Sequence, residues 1–167
     1  MIKKNRAMLI GSIGAGKSTL TNALLGREVK AVKTQSLLYY DWVVDTPGEY
    51  TENPLFYKNI MATALEVTHV LYLQDSTKKK LIFPHGFSIG INKVPIGVVT
   101  KSDSEHADVE GAVNFLKKVL VNKGPIVITS AINNEGIDEI RALVTMNTVQ
   151  EMKAYIDKHP SPFIIFE

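Results

Sequence analysis

The sequence of 167 residues contains no cysteine, which excludes disulfide bonds, thiolate metal sites and a cysteine nucleophile. No apolar run approaches the roughly 20 residues that a membrane-spanning helix needs, so we expect neither a membrane span nor a membrane partner. The net charge is only +2, which is too small a surplus of one sign to predict binding to nucleic acid. These absences are typical of proteins of the reducing cytoplasm, and we expect the protein to be located there.

The most informative segment present is residues 11–18, which read GSIGAGKS and match the phosphate-binding pattern G-x-x-x-x-G-K-[ST] in full. We call it the P-loop. Its glycines let the backbone curl so that successive N–H groups point at a phosphate. Lys17 can reach the β- and γ-phosphates of a nucleotide, and the Ser18 hydroxyl can hold Mg²⁺. The nucleotide ligands predicted from the loop and the residue after it are Gly11, Ile13, Gly14, Ala15, Gly16, Lys17, Ser18 and Thr19.

Apolar runs that suit strands alternate along the chain with amphipathic stretches that suit helices, which predicts an α/β fold with a mostly parallel sheet between helical layers. The runs at 37–40 and 42–44 are joined too closely for a parallel crossover, so we expect a hairpin and one antiparallel edge strand. The other predicted strands are 7–10, 69–73, 95–99 and 125–129, and the predicted helices are 18–25, about 53–65, 108–121 and 137–144. Residues 76–91 predict a connecting loop with a single helical turn.

A second motif, Asp45-Thr46-Pro47-Gly48, follows the apolar run at 42–44. In nucleotide-hydrolysing P-loop proteins, an Asp at the end of such a strand holds Mg²⁺ directly or through water. The glycine offers a backbone N–H to the γ-phosphate and lets the following loop pivot when that phosphate leaves. Asp45 and Gly48 are therefore predicted to face the P-loop across the nucleotide.

A third motif, Thr100-Lys101-Ser102-Asp103, follows the apolar run at 95–99, and Thr129-Ser130-Ala131 follows the next run. The Asp103 carboxylate can accept two hydrogen bonds from the N1–H and 2-amino groups of guanine. Adenine would instead turn its N1 acceptor toward that carboxylate and leave a buried charge unpaired, which is selective. The stem of Lys101 can cover the base, and the Ala131 N–H would meet the guanine O6. The predicted base contacts are Thr100, Lys101, Asp103, Ser130 and Ala131.

With these motifs in this order, the chain resembles the small Ras-type GTPases over nearly its whole length, and in detail it is similar to the EutP/PduV family. The closer match rests on KTQ at 33–35, DTPGEY at 45–50, ENP at 52–54, FP and GF within 83–87, and PIGVVTK at 95–101. The resemblance implies a three-layer P-loop NTPase fold of the Ras-like type. It also implies a role in ethanolamine or propanediol breakdown at or near a protein-shelled bacterial microcompartment, with shell or pathway proteins as partners.

Two departures from the Ras-type pattern concern the γ-phosphate. Glu49 stands where efficient GTPases of that type carry a glutamine that orients the attacking water. Ile13 occupies a P-loop position where a glycine would leave room for an incoming arginine. Together they predict that the protein binds nucleotide well and hydrolyses it slowly.

A third departure concerns the choice of base. Thr100 stands where an asparagine usually braces the P-loop and contacts N7 of the base, and threonine has one hydroxyl and less reach. Guanine selection by Asp103 remains the prediction, and the use of ATP stays open. Some members of the EutP/PduV family are assigned acetate kinase activity, which implies ATP and a carboxylate acceptor.

The catalytic and metal-binding residues follow from these motifs and from the mobile loop that closes on Mg²⁺ in such folds. Thr34 is the candidate from that loop, with Thr46 and Thr51 as alternatives. The predicted metal ligands are Ser18, Thr34 and Asp45, and the predicted catalytic residues are Lys17, Thr34, Gly48 and Glu49.

Two functions agree with these motifs: Mg²⁺-dependent binding of GTP and GDP with slow hydrolysis, or an ATP-dependent acetate kinase. Both use Lys17, Ser18 and Asp45 in the same way, because positioning and charge neutralisation dominate phosphoryl transfer. The family match ends near residue 146, which predicts a nucleotide-binding domain at 1–146 and a C-terminal extension at 147–167. That extension is amphipathic over 147–159 and ends in an apolar patch at 161–166. The patch either packs on its own domain or docks on a partner or a second copy, which would make a homo-oligomer.

Overall fold

The computed structural model describes residues 4–28 and 36–166. Within them the chain forms seven strands and six α-helices. The strands are β1 (Ala7–Ile10), β2 (Leu38–Tyr40), β3 (Val43–Asp45), β4 (His69–Asp75), β5 (Val94–Thr100), β6 (Ile126–Ile128) and β7 (Ile164–Ile165). The helices are α1 (Lys17–Leu25), α2 (Glu49–Glu52), α3 (Tyr57–Ala64), α4 (Val109–Leu120), α5 (Ile137–Val144) and α6 (Val149–Lys158). None of these helices is long and apolar enough to cross a membrane.

All seven strands form one sheet in the order β2-β3-β1-β4-β5-β6-β7. The five central strands run parallel, and β2 pairs antiparallel with β3 as the hairpin prediction required. At the other edge β7 pairs antiparallel with β6, with Ile126 opposite Ile165. The mostly parallel α/β fold is therefore confirmed. The structure adds a second antiparallel edge strand, β7, which lies within the apolar patch predicted at 161–166.

Two apolar cores, one on each face of the sheet, give the protein three layers. The first core joins the sheet to α3 and α4 through residues such as Ile60 and Leu116. The second joins it to α1, α5 and α6 through Leu20, Ile140 and Met152. Because the central strands are covered on both faces, β4 is buried over its whole length, as expected for a parallel strand between two helical layers.

The helix predicted at about 53–65 is present as a 3-10 turn at Pro54–Phe56 followed by α3, and the structure adds the separate short helix α2 before it. Asn53 is extended at φ −118° and ψ 112°, and its side chain accepts a hydrogen bond from the Leu55 N–H. A proline disfavours helical geometry in the residue before it, so α2 ends at Glu52 and a 3-10 turn leads into α3. Residues 76–91 form a connection with one 3-10 turn at Phe87–Gly90, as predicted.

The segment after Met146 packs on the same sheet. Thr148 begins α6 by accepting a hydrogen bond from the Glu151 N–H, and Met152 is fully buried in the second core. The chain then returns along the sheet edge, where the Ile128 N–H donates to the Phe163 carbonyl at 2.7 Å. The apolar residues at the end of the chain thus lie beside β6, immediately before Thr129.

Candidate nucleotide site

The P-loop connects the carboxyl end of β1 to the start of α1. Gly14 and Gly16 have positive φ angles of 80° and 99°, which glycine adopts without strain. The Lys17 side chain folds back over the loop, where its Nζ donates to the carbonyl oxygens of Gly11 at 2.9 Å and Ser12 at 2.8 Å. Two carbonyl groups of the loop therefore hold the Lys17 ammonium. The first N–H groups of α1, which starts at Lys17, lie beside it, and the N-terminus of a helix favours an anion.

Burial lowers the pKa of Lys17 to about 8, and the nearby charges of Asp45 and Glu52 oppose that shift. An ammonium group removed from water is costly unless an anion accompanies it. A phosphate group placed in the loop would provide that anion, and it would also accept the hydrogen bonds that two loop carbonyls now receive. The electrostatics of Lys17 therefore suit an anionic ligand.

Ser18 and Asp45 meet at the mouth of the loop, although 26 residues separate them along the chain. The Ser18 hydroxyl donates to Asp45 Oδ2 at 2.8 Å, and Asp45 ends β3 beside Leu9 of β1. The Thr46 hydroxyl donates to the Leu9 carbonyl at 2.7 Å, which ties the end of β3 to the strand that carries the P-loop. A hydroxyl and a carboxylate are hard oxygen ligands that fit Mg²⁺.

No group of three or more His, Asp or Glu side chains that could hold a metal ion occurs within residues 4–28 and 36–166. Mg²⁺ is usually bound by one or two carboxylates together with substrate phosphates rather than by such a cage. Ser18 and Asp45 would therefore hold the ion jointly with a nucleotide. Thr34, the third predicted metal ligand, lies outside the described residues.

Gly48 packs directly on the P-loop. A Cβ atom added to Gly48 would lie 2.6 Å from the N, Cα and Cγ1 atoms of Ile13. Real Cβ atoms essentially never come this close to backbone, so only glycine fits without a shift of one loop. Glu49 follows as the first residue of α2 and is exposed, and Ile13 is 44% exposed. The segment after β3 and the loop over the predicted γ-phosphate position are thus in contact.

Replacing Gly48 with alanine should separate these two loops. We expect affinity for a nucleoside triphosphate to fall about tenfold or more, because overpacking at a tight contact costs about 1–3 kcal/mol. Titration with a slowly hydrolysed GTP analogue measures the effect. Gly90→Ala is the matched control, because a Cβ at Gly90 meets nothing within 4 Å. Equal affinities of the two variants would contradict the proposed importance of the contact.

Beside the P-loop lies a cavity of about 410 Å³, which we call the base cavity. Its lining joins the P-loop side, the end of β5 and the turn after β6: Gly16, Thr19, Leu20, Thr100, Lys101, Asp103, Ser104, Thr129, Ala131 and Ile132. Asp103 Oδ1 accepts a hydrogen bond from the Ser130 hydroxyl at 2.8 Å, and the Ser130 oxygen in turn accepts from the Asn133 N–H at 3.1 Å. The carboxylate is thereby oriented by a neighbouring turn. Four of the five predicted base contacts line the cavity, and Ser130 supports one of them.

Thr100 makes a contact that its short side chain was expected to miss. Its hydroxyl donates to the Ala15 carbonyl at 2.7 Å and is buried. The reach suffices because β5 ends close to the P-loop, so a longer side chain is not needed for this bond. Thr100 therefore braces the P-loop, although its chemistry toward the base differs from that of an asparagine.

Sequence reasoning missed Asp75 and Glu52. Asp75 ends β4 directly opposite Thr100 of β5, and its Oδ2 accepts from Lys101 Nζ at 2.8 Å. An acidic residue just after the apolar run at 69–73 was the available signal, because the carboxyl ends of neighbouring parallel strands meet at one edge of a sheet. Burial lowers the pKa of Lys17, and the Glu52 charge opposes that shift, an effect that the sequence did not indicate.

A family model matches this chain over the residues that form the site, and several relatives match most of its length. The model of the PduV-EutP family, described as ethanolamine utilisation and propanediol utilisation, matches residues 4–146. The chain belongs to this family. It is 33% identical over 137 residues to the propanediol utilization protein PduV of Citrobacter freundii. The matched residues are 81% of this chain and 89% of that relative. It is 36% identical over 121 residues to the probable acetate kinase EutP of Escherichia coli K12, covering 71% and 74% of the two chains.

Solved structures of larger proteins share the fold. A bacterial selenocysteine-specific elongation factor, EF-Sec, matches 92% of this chain with a TM-score of 0.60 at 22% identity. Era of Aquifex aeolicus, solved with GDP and AlF4−, matches 86% of it with a TM-score of 0.61 at 21% identity. The chain spans 29% of the elongation factor and 57% of Era. These likenesses confirm the three-layer P-loop fold, and with the family match they support a P-loop nucleotide-binding protein.

Proposed function

We propose that this protein binds GTP and GDP together with Mg²⁺ and hydrolyses GTP slowly when alone. The observation that carries the proposal is the base cavity with its oriented carboxylate. Asp103 and the Lys101 stem line a cavity that also contacts the P-loop at Gly16, so one ligand with a base and a phosphate chain fits both. The Ser130 hydroxyl turns the Asp103 carboxylate in a fixed direction.

Guanine suits this cavity better than adenine. A carboxylate accepts hydrogen bonds and donates none, so it pairs with the N1–H and 2-amino donors of guanine and is left facing an acceptor in adenine. Ala131 lines the same cavity, and its N–H is the proposed donor to the guanine O6. Asp103 is exposed, and a bound base would cover its carboxylate. Leaving that covered charge unpaired costs more than a lost neutral hydrogen bond, which is the physical basis of the selectivity.

At the phosphate end, the proposed ligands act by positioning and charge. Lys17 would neutralise the β- and γ-phosphates. Ser18 and Asp45 would hold Mg²⁺ together with Thr34, which lies outside the described residues. The ion, when bound, neutralises charge that develops on the phosphate oxygens. Gly48 would offer its N–H to the γ-phosphate. Glu49, the next residue, is the candidate to hold the water that attacks this phosphate. Glu49 is exposed and stands in place of the glutamine that orients the attacking water in efficient GTPases, and a carboxylate near the γ-phosphate oxygens would be repelled by them, which supports slow hydrolysis.

Replacing Asp103 with asparagine tests the base assignment. The amide offers a donor where the carboxylate accepts, so we expect GDP affinity to fall about 100-fold and xanthosine diphosphate affinity to rise. Titration of the wild type with GDP, ADP and xanthosine diphosphate gives the reference. Asp108→Asn is the matched control, because Asp108 caps α4 through the Gly111 N–H and asparagine caps equally well. Unchanged base preference in Asp103→Asn would refute the proposal.

A second candidate function is an ATP-dependent acetate kinase. The observation that favours it is the name of a relative, the probable acetate kinase EutP of Escherichia coli K12. The same Lys17, Ser18 and Asp45 would serve that transfer, with acetate in place of water. Formation of acetyl phosphate from ATP, measured beside GTP hydrolysis in one preparation, separates the two functions.

The place of action proposed for either function is ethanolamine or propanediol breakdown, at or near the protein shell of a bacterial microcompartment. The family description supports the pathway. Proteins of that shell or pathway are the proposed partners.

A further inference from the structure

Asp75 is a nearly buried carboxylate whose two oxygens are both engaged. Its side chain is 2% exposed, and Oδ2 accepts from Lys101 Nζ at 2.8 Å. Oδ1 accepts from the N–H of Thr77 at 2.8 Å and from its hydroxyl at 2.6 Å. Burial alone would raise the pKa of Asp75, but the hydrogen bonds from Lys101 and Thr77 outweigh it and hold the pKa below its ordinary value. Asp75 is therefore a fixed negative charge in contact with Lys101, which lines the base cavity.

Lys101 is held in an unusual position. Its backbone is left-handed at φ 61°, a conformation that costs a non-glycine residue about 1 kcal/mol or more. Its Nζ bridges Asp75 Oδ2 and the Gly14 carbonyl, the latter at 2.7 Å. The stem then passes Gly16, where a Cβ would lie 4.0 Å from Lys101 Cε. The side chain thus spans from the P-loop to the end of β4 and forms part of the cavity lining.

Without a buried anion, this lysine would not be expected to stay in place. Its side chain is 41% exposed, and a lysine gains rotamer entropy and hydration by turning its ammonium into water. A single carbonyl partner is a weak anchor against that gain. Asp75 does not line the base cavity, so any influence on a bound base acts through Lys101.

We propose that Asp75 is a positioning residue for the nucleotide base. It holds the Lys101 side chain in place against the base cavity, and Lys101 then contacts the base. The inference rests on the proposed nucleotide binding and deepens it. It assigns a role to a residue on β4, a strand that otherwise supplies no member of the site. Asp75 sets the affinity for ligands that carry a purine base, and it leaves the recognition of phosphate to the P-loop.

The test is a double-mutant cycle on GDP affinity in the full chain. Asp75→Asn keeps the shape and the acceptor for Thr77 but removes the charge facing Lys101, and we expect about tenfold weaker GDP binding. Lys101→Met keeps an apolar stem and removes the ammonium, and we expect a similar loss. Because both act on one interaction, the double variant should bind GDP within about twofold of Lys101→Met. Asp138→Asn, which breaks the surface pair with Arg141, is the control and should bind like the wild type.

Inorganic pyrophosphate supplies the readout that a merely structural role would not produce. It has no base, so its affinity for Asp75→Asn should stay within about threefold of the wild type. An equal loss for GDP and pyrophosphate, or a double variant much weaker than Lys101→Met, would overturn the inference. If Asp75→Asn does not fold, Thr77→Val is the second variant: it removes the hydroxyl that orients Asp75 Oδ1 and should weaken GDP binding more than pyrophosphate binding. A wild type that binds no purine nucleotide would overturn the proposed function and this inference together, whereas normal GDP binding with additive losses would overturn the inference alone.

Discussion

Lys17→Met should reduce GTP and GDP affinity by at least about 100-fold while the protein stays folded. Lys17 is the cation inside the P-loop, and charge-assisted hydrogen bonds to phosphate contribute about 1.5–3 kcal/mol each. Two such bonds, one to each of the β- and γ-phosphates, account for the expected loss. The fold should persist, because losing the bonds to the Gly11 and Ser12 carbonyls is offset by relief of a buried charge. Calorimetric titration and thermal unfolding measure the two quantities.

The role of Lys17 also predicts how the stability of the free protein and its nucleotide affinity change with pH. The pKa of Lys17 is about 8 in the folded protein, below its ordinary value of 10.5. The folded state therefore holds fewer protons than the unfolded state between these values, so stability should rise with pH across that window. The free Lys17→Met variant should lack that rise, and wild-type nucleotide affinity should fall as pH passes about 8. Lys118→Met, on the exposed side of α4, is the control. Retained GTP binding in Lys17→Met would contradict the assignment.

A chain ending at Met146 should fail to fold stably, although it contains every predicted nucleotide ligand. Truncation removes Met152, which is fully buried in the second core, and exposes β6 by removing β7. Losing a buried methionine costs about 2–5 kcal/mol, and loss of the strand pairing adds to it. Typical domains have only about 5–15 kcal/mol of stability, so the truncated chain should unfold near physiological temperature. Urea denaturation followed by circular dichroism measures the loss.

Two matched variants show which part of the extension matters. Met152→Ala in the full chain should lose the packing contribution alone, and a chain ending at His159 should lose β7 alone. If GDP affinity of that second variant falls, the pairing of β6 with β7 also orders the turn at Thr129–Ala131, which follows β6 directly. A chain ending at Met146 with the same urea midpoint as the full chain would refute the structural role.

Local patterns were enough to predict the central features of the fold. Apolar runs and their spacing gave six of the seven strands near their observed positions, and the close spacing of β2 and β3 predicted the hairpin. The helix predicted at about 53–65 corresponds to the 3-10 turn at Pro54–Phe56 and α3, whereas α2 was not predicted, because four residues are too few to show an apolar periodicity. The strand β7 could not be predicted, because it consists of two residues that form a strand only by pairing with the edge strand β6.

By itself, the sequence determined that the protein has a P-loop, a carboxylate at the end of β3 and a carboxylate after β5, since each is a contiguous motif with local chemistry. The tertiary structure decided how these motifs meet. Thr100 reaches the Ala15 carbonyl, Gly48 lies against Ile13, and Asp75 holds Lys101 beside Gly14. These contacts join residues that lie 26 to 87 positions apart, and parallel strands bring them to one edge of the sheet. A motif carries its own chemistry, but only packing fixes the distance from one motif to the next.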